Sequence, residues 1–285
     1  MYQLPSALLH SARGLRPLYW TPQFHRTFSH GIHLHPVADS ALPLLNQRAL
    51  ITGGTRGIGL SIAKALASAG CSCVLVGRDS ATLSKVQHEL AMPGGNEKHG
   101  VLAGDVKERS FWDEVKKGYT DLDILVNAAG ITHNSLLIAM KYDAIDEVVN
   151  TNLLGSIYGC RAVLKNMVRR KGGKIINISS VLGSHKSGKG SAAYAASKAG
   201  VLGLTKALAD EYGAHKIRVN AILPGYIKTD MTDAMSKEAS EIAWSQIPMK
   251  RFGASEDVAH AALFLLTNKY SNGSEVVVDG GLSTF

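Results

Sequence analysis

Residues 48–77 read RALITGGTRGIGLSIAKALASAGCSCVLVG. The first segment, Arg48–Thr52, is a short apolar run that stops at glycine. The middle, IGLSIAKALASAG, carries apolar residues at helical spacing, and CSCVLVG (71–77) is a second apolar run rich in β-formers. Strand, glycine loop, helix and strand in about 30 residues is a βαβ unit, and its two strands must lie parallel.

The same alternation continues along the chain. Further apolar runs fall at 100–106, 123–130, 173–180, 217–225 and 274–281. With 48–54 and 71–77 they make seven expected strands. Helical segments fall between them, at roughly 143–170, 192–213 and 255–267. This predicts an α/β fold: one Rossmann-type, doubly wound, seven-stranded parallel sheet covered by helices on both faces, in a single domain over residues 46–285. Ligands of such folds bind beyond the carboxyl ends of the strands. There the chain reads TGGTRGIG, RD, GDV, NAAG, SSVLG and LPGYIKT in turn.

Gly53, Gly57 and Gly59 form Gly-x-x-x-Gly-x-Gly. Glycine tightens such a turn, lets backbone approach a pyrophosphate and lets the helix pack close to the sheet. Sites selective for NAD place an acid at the end of the second strand to hold the ribose 2′-hydroxyl. Here Gly77 and Arg78 stand at that place, and Arg56 adds a second guanidinium in the loop. Two arginines suit a 2′-phosphate, because guanidinium pairs with phosphate through two parallel hydrogen bonds. NADPH is the expected cofactor. Asp79 either salt-bridges Arg78 or points away.

Tyr-x-x-x-Lys occurs twice, as Tyr194 with Lys198 and as Tyr212 with Lys216. Each spacing sets both side chains on one helix face, where a cation can favour the phenolate. In one unbroken helix the two tyrosines are ~27 Å apart, so only one reaches a single reaction centre. Tyr194 opens the helix at the ligand edge, with Ser180 ending the fifth strand nearby. Asn152, in the preceding helix, is placed to anchor a water near Lys198. Together they supply an acid, its tuning cation and a hydroxyl to orient a carbonyl. Tyr212 lies at the opposite edge and is expected to pack or to lie at the surface.

The chain has 285 residues, 45% hydrophobic and 19% charged, with a formal charge of +8. No apolar stretch approaches the ~20 residues of a membrane span. The basic residues are scattered without a nucleic-acid motif, so no nucleic-acid or membrane partner is expected. Cys71, Cys73 and Cys160 form no disulfide framework, which fits a reducing compartment. Residues 1–45 differ in kind. They contain Arg13, Arg16 and Arg26, no lysine, and Asp39 as the single acid. That composition predicts a mitochondrial targeting leader and a matrix location. His30, His33 and His35 lie within it without a second ligand cluster, so no metal is expected.

TGGTRGIG, NAAG, Asn152, Ser180, YAASK and LPGYIKT resemble the short-chain dehydrogenase/reductases, from Gln47 to about Leu282. Within that family, DILVNAAGITHNSLLIAMK, TNLLGS and IPMKRFGASEDVAHAALFLL are most similar to the 3-oxoacyl-[acyl-carrier-protein] reductases. The resemblance implies that Tyr194 protonates a ketone oxygen, its pKa lowered by Lys198 and the nicotinamide. It implies that Ser180 positions the carbonyl and Asn152 holds a relay water. Gly53, Thr55, Arg56, Ile58 and Arg78 would face the pyrophosphate and 2′-phosphate, with Asp105 and Val106 at the adenine and Asn127 near its ribose. Ile227 and Thr229 would meet the carboxamide, and the segment 229–250 would close over substrate. A homotetramer built on the helices of Asn152 and Tyr194 and on the C-terminal strand is implied too. The partner would be acyl carrier protein, which is acidic. Arg169, Arg170, Lys171, Lys174, Lys216 and Arg218 form a candidate basic rim for it. The same machinery could instead serve free carbonyls such as quinones and small ketones, or survive in a non-catalytic NADP-binding subunit. The spacing from Ser180 to Tyr194 is one residue longer than close relatives would have, through a basic loop, GSHKSGKGSAA.

Overall fold

A computed structural model describes residues 42–284 apart from 94, 96, 97 and 234. The expected leader lies, as far as residue 41, outside the described residues. The strands are β1 (Arg48–Thr52), β2 (Ser72–Gly77), β3 (Gly100–Ala103), β4 (Ile124–Asn127), β5 (Gly173–Ile178), β6 (Ile217–Pro224) and β7 (Glu275–Val278). They form one seven-stranded sheet in the order β3-β2-β1-β4-β5-β6-β7. Every pairing is parallel.

Alternate residues of each inner strand serve opposite cores, as the two-residue period of a strand requires. Ile51 and Leu75 face one core with α1 (Gly57–Ser68) and α9 (Ser255–Thr267). Leu50 and Val74 face the other, with Phe111 and Trp112 of α3 (Arg109–Gly118). The helices α5 (Gly155–Arg170) and α6 (Ala192–Gly213) complete that second layer. The continuous apolar runs of the sequence follow from this burial on both faces. Shorter helices include α2 (Ser80–Gln87), α7 (Asp230–Asp233) and α8 (Lys237–Gln246).

The helix expected over 143–170 is interrupted. Its first part is α4 (Tyr142–Val149), followed by a π turn over Asn150–Leu154 and then α5. A π turn admits one extra residue, and such turns are frequent at functional sites. Here it carries Asn152, whose amide grips both backbone groups of Ile131. The tether lies across the fold, so helical periodicity along the sequence gave no sign of it.

β1 has β2 on one side and β4 on the other. The chain therefore reverses its direction of winding after β3, which opens a crevice between the loops that follow β1 and β4. The Thr52 hydroxyl, at the end of β1, accepts the N–H groups of Ala128 and Ala129 at 3.0 and 3.1 Å.

The packed body begins upstream of the boundary expected at residue 46. Leu44 is fully buried in the first core, and its N–H donates to the Ala69 carbonyl at 2.9 Å. Leu44→Ala leaves a cavity at the start of the fold and is expected to lower unfolding free energy by about 2–5 kcal/mol. Urea denaturation measures this, and a change under ~0.5 kcal/mol would show that Leu44 does not belong to the core.

Candidate active site

The three loop glycines answer to three different constraints. Gly53 has φ +65°, and a Cβ there would stand 3.0 Å from the backbone N and Cα of Ala129. Gly57 has φ +52°, with the Thr229 methyl 3.2 Å from where its Cβ would be. A Cβ on Gly59 would lie 2.2 Å from the Gly53 carbonyl oxygen, inside any possible contact. The loop is thus compressed between β1 and the start of α1. Arg56 precedes α1 and gives no side-chain cap, so the first-turn N–H groups keep their hydrogen-bonding capacity. A dipole end with open amides fits a dinucleotide pyrophosphate.

Gly77 is as constrained as the loop. A Cβ there would come within 2.7 Å of the Thr55 methyl, so no acid can end β2 while Thr55 packs against it. Arg78 is exposed beside it. Asp79 points away and caps α2, accepting the Thr82 N–H at 2.7 Å. Those bonds to Thr82 hold its carboxyl below the ordinary value. The 2′ region therefore carries guanidinium without a competing carboxylate from β2.

The other expected cofactor residues divide. Ile58 packs partly into the first core. Asp105 accepts the Lys107 N–H at 3.0 Å, and Val106 is buried with its carbonyl bonded to the Trp112 indole at 2.8 Å. Ile227 is buried and bridges to Gly253, while the Thr229 N–H donates to the Thr232 hydroxyl at 2.9 Å. Asn127 ends β4 and meets the crevice through its main chain. Its side chain is buried on the α5 side, donating to Asn177 Oδ1 at 2.8 Å, and Asn177 donates in turn to Thr205 of α6. The amide joins β4, β5 and α6 inside the fold, so at the crevice Asn127 offers main chain only.

Ser180, Tyr194 and Lys198 do come together. Ser180 follows β5, and its Oγ accepts the Leu182 N–H at 3.2 Å. Its side chain stands near enough to the Tyr194 hydroxyl to favour the phenolate. The Lys198 Nζ lies 5.8 Å from the Tyr194 ring centre and donates to the Ile178 carbonyl at 2.8 Å. Burial pulls the Lys198 ammonium down to about 8. The expected lowering of the Tyr194 pKa is reversed in the protein alone. Burial raises it above the ordinary value, and the nearby Ser180 side chain offsets only part of this. Desolvation acts against both charged forms at once, so a phenolate here needs more positive charge than Lys198 alone provides.

Asn152 is fully buried and its amide is committed. Oδ1 accepts the Ile131 N–H at 2.9 Å, and Nδ2 donates to the Ile131 carbonyl and to Ser197 Oγ, each at 3.0 Å. Both Nδ2 donors are used and Oδ1 keeps a second lone pair, so the amide acts as a clamp with one acceptor site open. Gly130, within NAAG, separates clamp from cation: a Cβ on it would stand 3.3 Å from both Asn152 Oδ1 and Lys198 Nζ. Two serines that the sequence reading passed over complete the support. Ser197 donates to the Tyr194 carbonyl at 2.7 Å, and Ser179 donates to the Lys198 carbonyl at 2.8 Å. The doublets Ser179-Ser180 and Ser197-Lys198 were the only sequence signs of this role. The second Tyr-x-x-x-Lys is not a pair of this kind. Tyr212 packs on the second core, and Lys216 lies beyond the helix end in the left-handed region, φ +61°.

The family profile described as short chain dehydrogenase matches residues 47–240. The chain is 39% identical over 236 residues to 3-oxoacyl-[acyl-carrier-protein] reductase of Bos taurus, covering 81% of this chain and 96% of the relative. It is 41% identical over 245 residues to carbonyl reductase family member 4 of Danio rerio, covering 84% and 98%. Among solved structures, a gluconate 5-dehydrogenase from Burkholderia cenocepacia in complex with NADP and tartrate superimposes with a TM-score of 0.78 at 33% identity. That match covers 85% of this chain and 97% of the other.

The buried lysine makes stability depend on pH. Lys198 loses its proton at about 8 in the folded chain and near 10.5 when exposed. Between those values the unfolded chain holds a proton that the folded chain has released, so stability rises with pH across that window. Below it, both states are protonated and this slope vanishes. Denaturant titrations from pH 7 to 10.5 should show wild type gaining stability relative to Lys198→Met. A constant difference would place the ammonium in water.

Proposed function

The chain belongs to the short-chain dehydrogenase family, and from that premise we propose that it reduces 3-oxoacyl groups on acyl carrier protein to 3-hydroxyacyl groups. The electron donor in this reading is NADPH and the process is type II fatty-acid synthesis. The observation that carries it is the meeting of Ser180, Tyr194 and Lys198 beside the crevice. The name of the Bos taurus relative supports the substrate class.

When bound, the reduced nicotinamide supplies a hydride to the carbonyl carbon. The Ser180 hydroxyl donates to the ketone oxygen and orients it. The Tyr194 hydroxyl gives that oxygen its proton, which completes the alcohol and leaves a phenolate. Lys198 stabilises the phenolate, and with its pKa at about 8 it exchanges protons readily near neutrality. Asn152 and Ser197 hold the turn of α6 on which this depends. NADPH over NADH is supported by Arg56, by Arg78 and by the lack of room for an acid at Gly77.

This reading includes a homotetramer, which bears on carrier docking. Of the basic rim, Arg170 pairs with Asp123, Lys174 bonds Gln47 and Arg218 bonds three carbonyls around the end of α9. Arg169, Lys171 and Lys216 are exposed. They lie where β5 and β6 begin, whereas Ser180 lies where β5 ends. Six residues of strand put these edges ~20 Å apart. The rim therefore does not border this chain's own crevice, contrary to the simplest expectation. A carrier held on Arg169, Lys171 and Lys216 would serve the crevice of a neighbouring subunit.

An NADPH-oxidation assay with acetoacetyl-carrier protein, a small acetoacetyl thioester and free carbonyls tests the reading. Carrier-bound substrate should have the highest kcat/KM, and Tyr194→Phe should lose about 10²–10⁴ in turnover. Lys171→Glu with Lys216→Glu should raise KM for carrier-bound substrate alone. Preference for free carbonyls would favour the activity named for the Danio rerio relative, and full turnover by Tyr194→Phe would favour a non-catalytic nucleotide-binding subunit.

The composition of residues 1–45 supports a mitochondrial matrix location. Fused to a fluorescent protein, they should direct it to mitochondria; diffuse cytosolic signal would end the proposal.

A further inference from the structure

Arg56, expected at the 2′-phosphate, already has a partner. Its Nη1 lies 2.9 Å from Oδ2 of Asp230, and the two side chains are 72% and 65% exposed. Asp230 is distant in sequence, at the start of α7 and beyond β6. Two loops meet there, because the Thr229 methyl lies against the bare Cα of Gly57. Thr229 is itself held by its N–H bond to Thr232 at 2.9 Å. Asp230 therefore projects from an anchored turn onto the glycine loop.

We propose that Asp230 is a specificity-determining residue that competes with the cofactor 2′-phosphate for Arg56. This rests on the reading of NADPH as cofactor. A phosphate dianion presents more charge and more acceptor oxygens to guanidinium than a carboxylate does, so it displaces Asp230. A 2′-hydroxyl has no charge with which to do so, and with NADH the Arg56–Asp230 pair stays closed. Binding of NADPH then includes the breaking of one ion pair, and binding of NADH does not. Asp230 thus lowers the preference for NADPH below what Arg56 and Arg78 would give without it. Because the pair is exposed, the effect is modest: surface pairs correspond to about two- to fivefold in an equilibrium constant. Arg78 has no carboxylate partner among the described residues, so it keeps a basal preference that Asp230 does not affect.

Isothermal titration of the full chain with NADP+ and NAD+ at low ionic strength tests the competition without turnover. Asp230→Asn is expected to tighten NADP+ about two- to fivefold and to leave NAD+ within error. Salt at 0.5 M should shrink the gain. Arg56→Gln should weaken NADP+, and adding Asp230→Asn to it should then change nothing. That cycle separates competition for Arg56 from any loosening of α7, which would alter both backgrounds alike. If wild type prefers NADP+ but Asp230→Asn binds it no more tightly, the competition is overturned and the cofactor reading stands. If wild type binds both nucleotides equally, the cofactor reading fails and the inference falls with it.

Discussion

The architecture depends on the approach of two strand ends at the centre of the sheet. Gly53 leaves β1 close enough to Ala129 that a methyl group would meet backbone at 3.0 Å. Thr52 ties the same ends together by accepting two N–H groups with one hydroxyl. Because β1 and β4 are neighbours, the loops after them diverge to opposite layers and leave a crevice. The glycine loop, the start of α1 and the NAAG segment are all placed by this one junction. A side chain at Gly53 would need both a strained φ and a displaced β4.

The second constraint is the burial of charge beside that crevice. Lys198 is 4% exposed and its ammonium donates to the Ile178 carbonyl. A buried cation is costly unless its hydrogen bonds are met, so the surroundings must be held in place. Asn152, Ser197 and Ser179 do so by fixing Ile131 and the carbonyls of Tyr194 and Lys198. The π turn is part of the same arrangement. It sets Asn152 facing Ile131 while α4 and α5 continue to either side. Stability is thus given up where a buried lysine stands beside Tyr194.

Legibility varied with the range of the interaction responsible. Strands and long helices were plain, because apolar period and glycine punctuation act locally. The helix at 192–213 and that at 255–267 were read to the residue. Ser180, Tyr194 and Lys198 were legible too, since parallel strands bring their C-terminal ends to one edge. The direction of the Asn127 side chain was not legible, because a strand-end asparagine can face crevice or core, and only its bond to Asn177 decides. The basic rim was misread by edge: the charges cluster in sequence, but they precede β5 and β6, whereas the site follows β5. The desolvation of Tyr194 in the protein alone was not legible, because spacing reports the neighbouring cation and says nothing of burial.

The sequence by itself determined the parallel sheet, the glycine loop and which of two Tyr-x-x-x-Lys patterns stands at the ligand edge. Each of these follows from short-range pattern and from the fixed direction of a parallel strand. Only the tertiary structure decided that Asp79 caps α2, that Gly77 has no room for an acid, and that Arg56 meets Asp230. Those depend on contacts such as Thr55 against Gly77 and the turn at Thr229 against Gly57. Residues so far apart in the chain carry no local signal of meeting, because packing distance and side-chain direction exist only once the layers have closed.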